Sequence, residues 1–246
     1  MLLDTKQCSY AILGTLMVRC EAFSTRSTAI TLANHRTTHP GGNIMRESSI
    51  QQEGNAMAIA TKPMTFEDYL NYDDGTDTRY ELDDGILIAM PPESDLNNQI
   101  ASFLFATFLQ LGIPYYHLRI GAQIAVGGKR ATAREPDFMV LSEEAAIALD
   151  GAKQSLITHE MPPPLLVVEV VSPQQENRDY RYKRTEYAGR HIPEYWIVDP
   201  IAQKVTVLEW VDGLYEDRAY QVSEVVVSSA FSDLELTAEQ ILGAGR

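Results

Sequence analysis

Glu169 interrupts an apolar run that reads Leu-Leu-Val-Val-Glu-Val-Val over residues 165–171. A continuous run rich in β-branched residues is typical of a central strand buried on both faces. An ionised carboxylate in such a strand costs several kcal/mol unless a cation or a set of hydrogen bonds compensates it. The sequence therefore predicts a partner for Glu169, either a bound cation or a nearby arginine.

A second carboxylate, Asp137, stands at the head of another apolar segment, residues 136–141. Pro136 suits the first residue of a strand because it has no N–H to donate. If the two segments are neighbouring strands, their carboxylates repel each other unless a hard cation lies between them. Mg²⁺ is typically held by one or two carboxylates, waters and substrate phosphate. The two acids are thus a candidate site for Mg²⁺ or Mn²⁺.

Basic residues flank the two acids. Asp179, Lys183 and Tyr187 are spaced by four, so they share one face of a predicted helix. A lysine beside a metal and a phosphodiester could stabilise charge on the phosphate, although a solvated basic face is the simpler alternative. The further candidates for phosphate contacts, which could equally be ordinary surface charge, are Lys129, Arg130, Arg134, Arg178, Arg181 and Arg184.

Helices and strands alternate irregularly around these residues. A capping box at Thr65 predicts a short helix, and Asp83-Asp84-Gly85 predicts a hairpin between residues 80–82 and 85–90. Asp95 is predicted to cap a helix that runs to about Leu111. We expect strands near 115–118, 121–126, 136–141, 165–171 and 194–198, helices at 142–148 and 179–188, and an antiparallel meander at 205–210, 214–220 and 224–227.

The order of these motifs resembles that of a known family. Its elements here are Tyr80-Glu81, Pro136-Asp137, the segment Glu169-Val170-Val171-Ser172-Pro173, the helix with Asp179, Lys183 and Tyr187, and the segment 194–200. Over about residues 64–242 the chain is similar to the Uma-two family of restriction-endonuclease-like proteins, within the PD-(D/E)xK nuclease superfamily. The resemblance implies an α/β (α+β) fold with a restriction-endonuclease-like core, in which helices flank a mixed β-sheet. An N-terminal hairpin and a C-terminal antiparallel meander would complete it.

The resemblance also implies roles for individual residues. Asp137 and Glu169 match the two metal-binding acids of the superfamily, and Glu81 matches an acid contributed before the core strands. The superfamily's lysine normally stands two residues after the glutamate, where this chain has Val171. Uma-two members use a lysine from the following helix, which matches Lys183. Asp179 and Tyr187 are then expected to orient Lys183.

Composition excludes several classes of protein. The 246 residues are 45% hydrophobic and 22% charged, which is typical of a folded chain, and the formal net charge of −14 excludes a globally basic nucleic-acid binder. No run approaches 18 consecutive apolar residues, so we expect no membrane-spanning helix. The two cysteines, at positions 8 and 20, cannot form a disulfide framework, and a cytoplasmic location is expected.

Residues 1–56 differ in composition from the rest. They carry five basic and four acidic residues, so the net charge of −15 lies in the remaining 190. Their one apolar stretch, residues 10–18, is short and ends at Arg19, which argues against a secretory signal. We expect a disordered tail, or sequence upstream of a biological start at Met57 or Met64. Residues 57–246 are expected to form a single domain.

The leading hypothesis is a Mg²⁺- or Mn²⁺-dependent endonuclease that acts on DNA. A second hypothesis is a catalytically silent, nuclease-like module that binds nucleic acid or protein, with Glu169 paired to an arginine. A third is a structural homodimer whose interface is built by the meander, residues 203–228. A dimer would also suit an enzyme that cuts both strands of a duplex.

Overall fold

The structure is a computed structural model that describes residues 62–173 and 176–246. The expectations for residues 1–56, including both cysteines, lie outside the described residues. Within the described part, no helix is long and apolar enough to cross a membrane.

Helices and strands are mixed along the chain, as predicted. The α-helices of the described residues are α1 (Phe66–Leu70), α2 (Asp95–Gln110), α3 (Glu143–Leu149), α4 (Arg184–Gly189) and α5 (Ala238–Leu242). A 3₁₀ turn spans Tyr115–His117, and a π-helical segment, Arg178–Lys183, leads directly into α4. The strands are β1 (Tyr80–Asp83), β2 (Ile86–Ala89), β3 (Leu118–Arg119), β4 (Gln123–Val126), β5 (Thr132–Arg134), β6 (Phe138–Val140), β7 (Leu156–Ile157), β8 (Leu166–Val170), β9 (Glu194–Asp199), β10 (Lys204–Val211) and β11 (Leu214–Tyr220).

The first sheet has the strand order β2-β1-β5-β4-β7 and contains the predicted N-terminal hairpin. Strands β1 and β2 are joined by Asp84 and Gly85, whose φ angles are 47° and 83°. Two successive positive φ angles are characteristic of the type I′ turn that an Asp-Gly pair favours. The register pairs Glu81 with Ile88 and Leu82 with Leu87, so the two members of each pair lie on the same face of the hairpin.

The second sheet is mixed, with the order β11-β10-β9-β8-β6-β3. Strand β8 lies inside it, antiparallel to β6 and parallel to β9, and all five of its residues are buried. The prediction of a central strand around Glu169 is therefore confirmed. Strands β9, β10 and β11 form an antiparallel meander at the C-terminal end of the fold.

Hydrophobic side chains cover this sheet on both faces. Leu166, Val168 and Val170 of β8 pack in one cluster with residues of α2 and α5. Val167 and Val171 belong to a second cluster, with residues of α3 and α4. Because side chains alternate along a strand, Glu169 must lie on the second face, toward α4.

Three predicted element boundaries were wrong. Helix α2 begins one residue earlier than expected, because Ser94 rather than Asp95 caps it: the Ser94 hydroxyl accepts from the Asn97 N–H. Most of the predicted strand at 115–118 is the 3₁₀ turn. The helix predicted at 179–188 begins before Asp179, and its first part is π-helical.

The expected third strand of the meander, residues 224–227, is also wrong. After β11 the chain turns at Val222, whose φ is 49°, and leaves the sheet. Val225 forms an isolated bridge with Thr237, and the Val226 N–H donates to the Leu236 carbonyl. The β-branched residues of this segment therefore pair with the chain that leads into α5 and not with β11.

Candidate active site

A cavity of about 830 Å³ lies where the two sheets and the π-helical segment meet. The walls come from the hairpin, the segment before α2, the residues before β6, the end of β8 and the π-helical segment. The lining contains six carboxylates, Glu81, Glu93, Glu135, Asp137, Glu169 and Asp179, and two basic side chains, Arg178 and Lys183. The cavity is therefore strongly acidic, and it contains both acids that the sequence singled out.

Asp137 and Glu169 are brought together by strand pairing. Strands β6 and β8 are antiparallel, with Phe138 opposite Val168, and the next position of this register sets Asp137 opposite Glu169. The Asp137 carboxylate accepts a 2.7 Å hydrogen bond from the Val170 N–H on the same neighbouring strand. Directly opposed residues of like charge destabilise a sheet. The pair therefore needs positive charge nearby.

Burial raises the pKa of Asp137 to about 7. The hydrogen bond from Val170 and the charge of Lys183 oppose this shift, whereas the negative charge of Glu93 adds to it. A carboxylate with a raised pKa retains its proton unless a cation stabilises the ionised form. The Asp137 carboxyl is thus suited to bind a metal ion with release of its proton.

Glu169 is 3% exposed and is held from two sides. Its Oε2 lies 2.7 Å from the Lys183 Nζ, and its Oε1 accepts a 2.6 Å hydrogen bond from the Tyr187 hydroxyl. Burial raises the pKa of Glu169, and the charge of Lys183 works against that rise. The partner that the sequence required is therefore a lysine, and not the arginine considered as an alternative.

Lys183 occupies the centre of this cluster and is 4% exposed. Its Nζ lies 3.1 Å from Asp179 Oδ1, in addition to its contact with Glu169. Burial alone would lower the pKa of Lys183, but the carboxylates of Glu169 and Asp179 raise it above the usual value. Asp179 thus contacts Lys183 from the same helical segment. Tyr187, in contrast, contacts Glu169, because its position one turn further along the helix brings it over β8.

Glu81 also lines the cavity, but its carboxylate is engaged by basic residues. It forms ion pairs with Arg178 and, at 3.7 Å, with the Arg134 guanidinium, and it accepts a 3.0 Å hydrogen bond from the Glu135 N–H. A carboxylate shared by two guanidinium groups has little free charge to offer a metal ion. The geometry therefore favours a structural role for Glu81 over the expected role as a ligand.

Glu93 and Asn97 are among the residues of the site that escaped the sequence analysis. Glu93 lies close enough to Asp137 to raise its pKa. Asn97 is 4% exposed, and its Nδ2 donates to the Val170 carbonyl at 3.2 Å and to the Ser172 hydroxyl at 3.1 Å. The sequence does contain an indication of this role, because Asn97 is a polar residue on the otherwise apolar face of α2. It ties the start of that helix to the end of β8.

The basic residues proposed to contact phosphate are dispersed. Arg178 is the one that lines the cavity, and Lys129, Arg130 and Arg181 are exposed elsewhere on the described surface. Arg134 is 1% exposed and is paired with Asp83, Glu81 and Glu186, so a phosphate cannot reach it, and its proposed phosphate contact is wrong. Arg184 is paired with Asp217 of β11 and does not line the cavity.

The donor set fits a divalent cation that keeps part of its coordination open. Among residues 62–173 and 176–246 no group of three His, Cys, Asp or Glu side chains could hold a metal ion by itself. Asp137 and Glu169 are the two acids whose carboxylate oxygens could serve as ligands, and the Glu169 carboxylate is also contacted by Lys183 and Tyr187. Two carboxylates completed by waters and substrate oxygens are a common arrangement for Mg²⁺.

Comparison with known proteins agrees with this fold. A family model described as "Uma2: Putative restriction endonuclease" matches residues 66–239. A crystal structure from Anabaena variabilis ATCC 29413, described as a "putative nuclease belonging to DUF820", is similar with a TM-score of 0.60 and 18% identity, over 75% of this chain and 100% of that one. The search of curated proteins found no match. Since the family model spans more than half of the residues, as the motifs predicted, the chain belongs to the Uma2 family.

Proposed function

We propose that the protein is an endonuclease that hydrolyses phosphodiester bonds in DNA with Mg²⁺ or Mn²⁺ as cofactor. The observation that carries the proposal is the placement of Asp137 opposite Glu169, with both carboxylates open to one cavity. The pKa of each carboxylate is raised by burial, which is common at functional sites. Membership of the Uma2 family supports the same class of reaction.

Asp137 and Glu169 would hold the cation. A divalent ion supplies charge stabilisation to the phosphate and lowers the pKa of a bound water. Hydrolysis adds water to phosphorus and breaks one P–O ester bond, so negative charge grows on the phosphate oxygens. Lys183 is a buried ammonium 2.7 Å from Glu169, its charge also acts on Asp137, and it would stabilise the charge on the phosphate.

The neighbouring residues keep this arrangement rigid. Asp179 fixes the Lys183 ammonium from within the same helical segment, and Tyr187 fixes Oε1 of Glu169. Asn97 holds the Val170 carbonyl at the end of β8. A rigid site of this kind orients the reacting groups before the substrate arrives.

Incubation with DNA tests the proposal. The full chain would be incubated with supercoiled plasmid, single-stranded DNA and RNA in Mg²⁺ or Mn²⁺. We expect DNA to be cut, and we expect Asp137→Asn and Glu169→Gln to abolish cutting. Lys183→Ala should bind Mn²⁺ but not cut. Asp150→Asn, at an exposed residue outside the cavity, is the matched control and should remain active.

The silent, nuclease-like module is the second candidate, and one contact favours it. The ion pair between Glu169 and Lys183 already compensates the buried charge without a metal ion. If the pair is purely structural, the protein will bind no Mn²⁺ and will cut none of the three nucleic acids. Binding of nucleic acid without cutting would then support this candidate.

A homodimer remains part of the proposal. Several large apolar side chains within or next to the meander are exposed, namely Val211, Leu214, Val222, Val225 and Val227. Exposed apolar side chains that gather into one patch are typical of contacts between subunits. Light scattering of the full chain should give twice the monomer mass. A monomer at high protein concentration would contradict the dimer without affecting the proposed chemistry.

A further inference from the structure

One wall of the acidic cavity is apolar and continuous in sequence. Residues 88–92, Ile88-Ala89-Met90-Pro91-Pro92, all line it, and we call them the 88–92 wall. Pro91 and Pro92 are exposed, and the other three residues are partly exposed. The proposed chemistry does not use this wall, because its side chains carry no polar group.

The hairpin register explains why this wall faces the cavity. Leu87 is buried and packs with Leu82 in a hydrophobic cluster of the first sheet. Ile88, the next residue, points to the opposite face and is paired with Glu81, which also lines the cavity. The apolar surface of β2 and the carboxylates of the site therefore line the same cavity.

The groups proposed to react line that space. Glu169 is 3% exposed and Lys183 is 4% exposed, whereas Asp137 is partly exposed. A phosphodiester must therefore enter the cavity to reach Glu169 and Lys183. The phosphates of a duplex lie on its outer surface, but the sugars and bases beside them are held by pairing and stacking, so an unpaired nucleotide costs less to insert into a cavity than a paired one.

The charges of the cavity also disfavour a duplex. Arg178 and Lys183 are the basic residues of the described lining, against six carboxylates. Proteins that hold a duplex use several Lys or Arg contacts along its phosphates. Arg178 is partly exposed and its guanidinium is paired with Glu81, whereas Lys183 is buried between Glu169 and Asp179. The described lining therefore offers a phosphate one accessible guanidinium, and not an extended row of basic residues.

We propose that the cavity takes a single unpaired nucleotide, with its sugar and base against the 88–92 wall and its phosphate beside Asp137 and Arg178. The inference builds on the proposed function and names its substrate class, which is single-stranded DNA or the unpaired arm of a partly duplex molecule. The cavity of about 830 Å³ falls within the range of sites that enclose small ligands, about 300–1,000 Å³. An aliphatic wall makes no base-specific hydrogen bonds, so we expect little sequence preference.

A DNA hairpin with a single-stranded 3′ arm tests the inference within one molecule. The full chain would be incubated with the end-labelled hairpin and Mn²⁺, and cuts in the arm and stem would be mapped and timed. We expect cutting in the arm to be about tenfold faster or more, from the cost of unpairing a base. Met90→Ser and Ile88→Ser should raise KM for the arm about tenfold, because they remove apolar contact with the base.

Two controls separate the wall from the metal site. Mn²⁺ affinity should be unchanged in Met90→Ser and Ile88→Ser, since neither side chain is a ligand. Ile147→Ser, at an exposed apolar residue of α3 outside the cavity, should leave KM unchanged.

Equal or faster cutting of the stem would overturn the inference but leave the proposed function intact. Unchanged KM in both wall variants would overturn the role of the wall. If neither arm nor stem is cut, the proposed function fails and the inference with it.

Discussion

Replacing Lys183 by methionine should destabilise the protein in a way that depends strongly on pH. The Lys183 Nζ lies 2.7 Å from Glu169 and 3.1 Å from Asp179, and all three side chains are nearly inaccessible. At an effective dielectric constant of about 20, unit charges at these separations attract by about 5–6 kcal/mol each. Much of that attraction offsets the cost of burying the charges, and removing one partner of a buried pair typically costs about 3–5 kcal/mol.

The expected loss at pH 8 is therefore about 3–5 kcal/mol in the free energy of unfolding. At pH 5.5 the loss should shrink to roughly 1 kcal/mol, because burial raises the pKa of Glu169 and the carboxyl can take up a proton once its cation is gone. Urea unfolding of wild type and Lys183→Met at both pH values measures the difference. Lys153→Met, at an exposed lysine, is the control and should change stability by less than about 0.5 kcal/mol. A loss of less than about 1 kcal/mol at pH 8, or an equal loss at both pH values, would refute the reasoning.

Three further variants probe the same cluster. Burial raises the pKa of Asp137 from 3.8 to about 7, so over this range the native state keeps a proton that the unfolded state loses. The free energy of unfolding should therefore fall by up to about 4 kcal/mol as the pH rises from about 4 to 7. Asp137→Asn should flatten that slope in urea unfolding measured across the pH range. Glu81→Gln should keep Mn²⁺ affinity within about twofold in calorimetry but lower the free energy of unfolding by about 2–4 kcal/mol, because it leaves Arg134 short of a buried partner. Tyr187→Phe should lower stability by about 1–3 kcal/mol at pH 8, measured by thermal unfolding, since Glu169 loses a 2.6 Å hydrogen bond.

The core of the site could be predicted because its signals are local. A carboxylate inside a continuous apolar run is visible in the sequence, and it implies both burial and a partner. The spacing of Asp179, Lys183 and Tyr187 likewise predicts a shared helix face, and all three side chains contact the same cluster around Glu169. The Asp-Gly hairpin is another local signal, since few residues tolerate its two positive φ angles.

Other parts of the site depend on contacts between distant segments. The ion pair between Glu81 and Arg134 forms because β1 pairs with β5. This pairing brings the Arg134 guanidinium to Glu81 from more than fifty residues away along the chain. Nothing near either residue indicates this pairing. The segment at 224–227 was misjudged for a related reason. Its β-branched residues favour a strand, but the chain turns away from the sheet at Val222, so β11 is the edge strand.

The central claim is that Asp137 and Glu169 together hold a divalent cation. Titration of Mn²⁺ into the full chain by calorimetry at pH 7.5 tests it most directly, without a choice of substrate. We expect one saturable site that releases protons on binding and is lost in folded Asp137→Asn and Glu169→Gln, but kept in Asp150→Asn. Absence of Mn²⁺ binding to the wild type, both alone and with single-stranded DNA present, would contradict the claim. Binding that survives in both variants would contradict it equally.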